Sequence, residues 1–141
     1  MKYRRERHSV TDLKVHLVCV TKYREDLFSE SELVLIEKVF HDVAKKMNFQ
    51  ILEINGEKEQ HAANRTAFVH ALIEYPPKLS VSKIVNALKG VSSRRYGQAG
   101  FRKPKNGKAL WSPSYFAVSV GGAPIKVLIK YIKEQSRPPL R

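Results

Sequence analysis

Phe68-Val69-His70-Ala71-Leu72-Ile73-Glu74-Tyr75-Pro76-Pro77 reads as a β-strand with a fixed end. Pro77 has no amide proton and Pro76 biases Tyr75 toward extended geometry, so the strand stops near here. Alternation puts Phe68, His70, Leu72 and Glu74 on one face and Val69, Ala71, Ile73 and Tyr75 on the other. The second set is a core face. The first set carries an imidazole and a carboxylate among apolar side chains. Taken alone, such a histidine reads as a partly buried residue near a strand end.

Working outward, the segment Glu57 to Ala67 is polar, lacks periodicity and is longer than a hairpin requires. Before it, Phe49 to Asn55 reads as a strand followed by the turn signal Asn55-Gly56. Ser29-Glu30-Ser31-Glu32 is a capping-box pattern, and Leu33, Ile36, Val39, Phe40, Val43, Ala44 and Met47 recur at three and four, which predicts a helix over about Ser29 to Met47. Leu13 to Thr21 becomes continuously apolar and suits an inner strand. After Pro77, Ser80 to Tyr96 predicts a helix with Val81, Ile84, Val85, Leu88 and Val91 inward and Lys83, Lys89, Arg94 and Arg95 outward. Gly97 to Lys108 is a basic loop, Tyr115 to Val120 a strand, Gly121-Gly122 a hinge, and Ala123 to about Gln135 a last helix opened by Pro124 and stopped by Pro138-Pro139. The first six elements form a βαββαβ unit: an α+β, ferredoxin-like antiparallel sheet with two helices on one face. The additional C-terminal helix is left for the other face or for a partner.

The 141 residues, 43% of them apolar, suit one domain over residues 1–141 with a core at about 11–120 and the C-terminal helix at about 123–135. Cys19 is the single cysteine, which excludes an internal disulfide and a cysteine-based zinc site and suits a reducing compartment. The basic N-terminus is not followed by an apolar signal core, and no apolar run approaches a membrane span. A soluble, cytoplasmic protein without membrane partners is expected. The net charge of +13 is concentrated: residues 1–74 hold twelve Lys/Arg and twelve Asp/Glu, whereas residues 75–141 hold fourteen Lys/Arg against Glu134 alone. Because these cations are spread over helices and loops, they favour a nucleic-acid face over a membrane-surface helix.

Tyr131 and Gln135 stand four apart on the last helix and share a face. A tyrosine there reads as packing or surface. Its functional alternative is a phenolate nucleophile, which needs a phosphate held by cations and a metal.

Five segments together resemble the insertion-sequence-200-like transposases, small single-tyrosine members of the HUH nuclease superfamily. They are Val20 to Arg24, His70 to Pro77, Leu88 to Arg94, Leu110 to Phe116, and Ser119 to Pro124 continuing through Lys130 to Gln135. They occur in order along nearly the whole chain. The resemblance implies a DNA transposase that cuts and rejoins single-stranded insertion-sequence ends folded as hairpins, through a 5′-phosphotyrosine intermediate and as a homodimer whose tyrosine helices can complete the partner's site. By residue match it implies Tyr131 as nucleophile, and His70 and Gln135 as ligands of Mg²⁺ or Mn²⁺. Lys22, Arg24, Lys89, Arg94, Arg95, Arg102 and Lys103 are the candidate DNA-binding cations. Trp111, Tyr115 and Phe116 are candidates either for stacking on unpaired bases or for filling the core.

The chain departs from the family at one point. The family's metal strand reads histidine, apolar, histidine, but Phe68 stands two residues before His70 and has no donor atom. Two readings follow. In one, the segment Gln60 to Ala67 folds back so that His61 reaches the metal. In the other, the site keeps only His70 and Gln135, the metal is weakly held, and cleavage is impaired or lost, which leaves a catalytically inactive relic that binds single-stranded or hairpin nucleic acid.

Overall fold

The computed structural model describes residues 3–56, 65–105, 107, 109–121 and 125–134. The elements are β1 (Arg4–Glu6), β2 (Ser9–Thr11), β3 (Lys14–Thr21), a 3₁₀ turn at Lys22–Arg24, α1 (Glu30–Met47), β4 (Gln50–Gly56), β5 (Phe68–Glu74), α2 (Val81–Gln98), β6 (Trp111–Ser119) and α3 (Ile125–Glu134). The main sheet is antiparallel in the order β4-β5-β3-β6, as expected of a ferredoxin-like unit. The continuously apolar β3 and β5 occupy its centre, where both faces are covered.

On one face, Leu17 and Cys19 of β3 and Val69 and Ile73 of β5 pack with Ile36 and Phe40 of α1 and with Ile84 and Leu88 of α2. This is the core read from the alternation of β5. The opposite face has a second, smaller core: Val18, Val20, Ala67 and Phe68 pack against Ile129 and Ile132 of α3. The last helix therefore lies across its own sheet, the first of the two alternatives left by the sequence. Gln135, Gly122 and Pro124 lie outside the described residues, as does His61.

The capping box forms at the start of α1. The Ser29 backbone N–H donates to Glu32 Oε1 at 2.9 Å, and the Ser29 hydroxyl bonds the same carboxylate. Burial raises the Glu32 pKa, but hydrogen bonds from Ser29 and Ser31 outweigh it and hold the carboxyl below its ordinary value. A depressed carboxyl pKa contributes stability that is present above the unfolded-state pKa and lost as pH falls through the folded-state value. Glu32→Ala is expected to cost about 1 kcal/mol near neutral pH. In urea melts at several pH values, the gap from the parent should close as the pH drops below the ordinary glutamate range.

Three details differ from the sequence reading. A short hairpin, β1 with β2, precedes the sheet and is tied to it by Arg4, whose Nε and Nη2 donate to the Glu74 carboxylate at 2.7 and 2.8 Å. Strand β6 begins at Trp111, four residues earlier than Tyr115. It tolerates Pro113 because it is an edge strand and its pairing with β3 shifts register between Cys19 and Thr21. Finally, the end of the polar segment before β5 is held in place. Thr66 and Phe28 exchange backbone hydrogen bonds at 2.9 and 3.0 Å, and the Thr21 N–H donates to Ala67 O at 2.9 Å. These bonds fix the approach to Phe68.

Candidate nucleic-acid and phosphoryl-transfer site

Side chains of β5 that point away from α1 and α2 share a face with α3. Phe68 and His70 are two apart on that face, and Val18, which contacts α3, pairs in register with His70. Phe68 is 4% exposed and belongs to the apolar seat of α3. Arg24 fixes this arrangement: its guanidinium lies 5.5 Å from the Phe68 ring centroid, and its Nη2 donates to Ile132 O at 2.7 Å. Position 68 is thus a packing position under the helix, between the apolar seat of α3 and the Arg24 guanidinium.

His70 is 6% exposed. Burial and the adjacent His16 push its pKa down, partly offset by the Glu53 carboxylate on β4. Its nearest polar partner is an imidazole that the sequence reading had not singled out, for His16 Nδ1 lies 3.1 Å from His70 Nε2. The two rings are tilted by 31°. His16 pairs in register with Leu72, so it is the diagonal neighbour of His70, on the side away from Phe68. Its position in β3, out of phase with Leu17 and Cys19, was the available signal. The register of β3 against β5, which makes the two meet, is not written in either strand.

Tyr131 is 55% exposed on α3, with no hydrogen bond to a described residue. Its helix is held on the sheet by Ile129 and Ile132, which are buried against Val18, Val20 and Phe68. A buried imidazole and an exposed phenol are side-chain types that metal-assisted phosphoryl transfer can use. The donor chemistry suits a divalent cation at His70, where imidazole nitrogens converge, and not at position 68, which offers none. Among the described residues no cluster of three or more His, Cys, Asp or Glu side chains is placed to hold a metal.

The candidate cations fall into two groups. Arg94, Arg102 and Lys103 are exposed and available to phosphates. Lys22 sits 5.7 Å from the Tyr23 ring, and Arg95 pairs with Asp42 at 2.8 Å. Arg24 anchors α3, and Lys89 joins α2 to the edge strand: its Nζ donates to Ser112 O at 2.7 Å and Ser114 O at 2.9 Å and lies 5.5 Å from the Tyr115 ring. Burial lowers the Lys89 pKa. Lys89→Ala should therefore cost about 1–2 kcal/mol in denaturant unfolding, a loss that removing a purely phosphate-facing lysine would not produce. Trp111 is a core residue, with its indole N–H donating to Ser92 Oγ at 2.9 Å. Tyr115 is exposed beside Lys89, and so keeps the base-stacking alternative.

No helix of the described residues is long and apolar enough to cross a membrane. The family model for IS200-like transposases matches residues 9–135. The transposase for insertion sequence element IS200 of Salmonella typhimurium is 32% identical over 130 residues, covering 91% of this chain and 80% of its own. The ISDra2 transposase TnpA of Deinococcus radiodurans is 25% identical over 137 residues, covering 96% and 92%. Among solved structures, a Deinococcus radiodurans R1 crystal structure described as a transposase superimposes with a TM-score of 0.77 at 26% identity, over 94% of this chain and 97% of that one. A REP-associated tyrosine transposase bound to a REP hairpin gives a TM-score of 0.54 at 12% identity, over 94% and 72%, and so shares the fold. With the family model spanning residues 9–135 and a curated relative 32% identical over 91% of the chain, this protein belongs to the family of IS200-like transposases.

Proposed function

We propose that the protein cuts and rejoins single-stranded DNA at insertion-sequence ends folded as hairpins, with Tyr131 as nucleophile. The observation that carries this reading is the placement of Tyr131, exposed, on a helix seated on the sheet face that holds His70. The Tyr131 oxygen attacks the scissile phosphorus, the P–O3′ bond breaks, and the departing oxygen takes a proton to become a 3′-hydroxyl. The 5′-phosphate stays on the tyrosine. Because one phosphodiester replaces another, rejoining needs no nucleotide cofactor. Mg²⁺ or Mn²⁺, held through His70 and Gln135, supplies charge neutralisation at the phosphate when bound. The exposed Arg94, Arg102 and Lys103 grip the backbone, and two copies of the chain act together.

A labelled hairpin from the flanks of the element, incubated with the protein and Mn²⁺, tests this. A covalent adduct is expected, and its absence with every flanking sequence would refute cleavage. Binding should also weaken steeply with salt, and each of Arg94→Ala, Arg102→Ala and Lys103→Ala should lower the slope of log affinity against log salt by about 0.7.

A second reading, hairpin binding without cleavage, is favoured by Phe68, which fills the place of the first histidine and is committed to seating α3. The two readings separate on Phe68→His. Cleavage by Phe68→His where the parent makes no adduct supports the inactive reading, and a parent that already makes adduct efficiently excludes it.

A further inference from the structure

The least expected contact in the molecule is the close approach of two imidazoles across neighbouring strands. Two nitrogens bound to one cation at about 2.1 Å, and separated at it by about 90–110°, lie about 3.0–3.4 Å apart. His16 Nδ1 and His70 Nε2 are 3.1 Å apart, within that range. Both ring nitrogens come from central strands, which fix ligand positions better than a loop does, and β3 and β5 are paired in register on either side of this contact. The Glu53 carboxylate of β4 acts on His70 with a charge that favours a cation. His16 and Phe68 stand on opposite sides of His70 along the sheet, so this contact does not involve position 68.

We propose that His16 and His70 form a cross-strand site for a divalent transition-metal cation, with His16 as the second imidazole that position 68 does not provide. The remaining coordination positions are left to water or to a phosphate oxygen. An N–H···N hydrogen bond would span the same distance. Metal binding displaces its shared hydrogen to the outer nitrogen of the donor ring, His16 Nε2 or His70 Nδ1, so one arrangement converts to the other without a change in total protons.

This inference deepens the metal side of the function proposed above, and it is measured without DNA, so failure of either leaves the other standing. The full chain is titrated with Zn²⁺ while the imidazole ¹⁵N resonances are followed by NMR, with affinity read by competition against a chromophoric chelator. One equivalent is expected to move the signals of His16 Nδ1 and His70 Nε2 together and to leave those of His8 and His41, both exposed, in place. His16→Gln and His70→Gln should each weaken binding at least tenfold, and His41→Gln should not. If the His16 signal stays unmoved at saturation, or if folded His16→Gln binds within twofold of the parent, the site is overturned. The titration of the unmodified protein decides the matter even if either variant fails to fold.

Discussion

Tyr131→Phe is expected to abolish the covalent protein–DNA adduct, a loss of about a thousandfold or more in cleavage, while leaving the fold and hairpin affinity nearly intact. A phenyl ring has no oxygen with which to attack phosphorus, and a nucleophile that starts a covalent step is not replaced by its neighbours. The structural cost is small because the side chain is 55% exposed. Removing an exposed hydroxyl changes stability by about 0.5 kcal/mol or less. The measurement is a denaturing gel of labelled hairpin with parent and variant, alongside a binding titration of both. A variant that loses adduct and affinity together would mark Tyr131 as a DNA-contacting residue and not the nucleophile.

Phe68→Ala should give the largest loss of stability, about 3–5 kcal/mol if the cavity stays open. Phe68 is 4% exposed, packs with Ile129 and Ile132, and carries the Arg24 guanidinium on its ring. Its truncation removes part of the seat of α3 and a contact of the Arg24 guanidinium. Phe68→Leu keeps most of the volume and should cost roughly half as much. Urea unfolding reads the global change, and hydrogen exchange in α3 reads the local one. Faster exchange confined to α3 is expected. Uniform loss across β3 and β5 would instead mean that the second core is inseparable from the first.

The βαββαβ order, the capping box at Ser29 and the inward faces of α1, α2 and β5 were legible because each rests on local periodicity or a local stop signal. The hairpin β1–β2 was not, since its strands are three residues long and β1 is wholly charged, and its anchor is a pairing between Arg4 and Glu74 seventy residues apart. The start of β6 was misplaced because Pro113 reads as a breaker until the edge position and register shift are known. Phe68 was legible as a missing ligand, yet its packing role depends on where α3 lands. Arg24 and Lys89 illustrate the same limit. Their charge suggested phosphate contacts, while backbone carbonyls far along the chain give both of them structural roles. The His16–His70 contact is a product of strand register alone.

The central claim is that Tyr131 becomes linked to the 5′-phosphate of single-stranded DNA. Hairpin substrates labelled at either the 5′ or the 3′ end, cut in Mn²⁺ and followed by mass spectrometry of the digested adduct, test it directly. The account predicts that the fragment 3′ of the cut is bound through its 5′-phosphate to the peptide containing Tyr131, and that the other fragment is released with a free 3′-hydroxyl. Attachment to another residue, attachment through a 3′-phosphate, or cleavage that persists in Tyr131→Phe would contradict it.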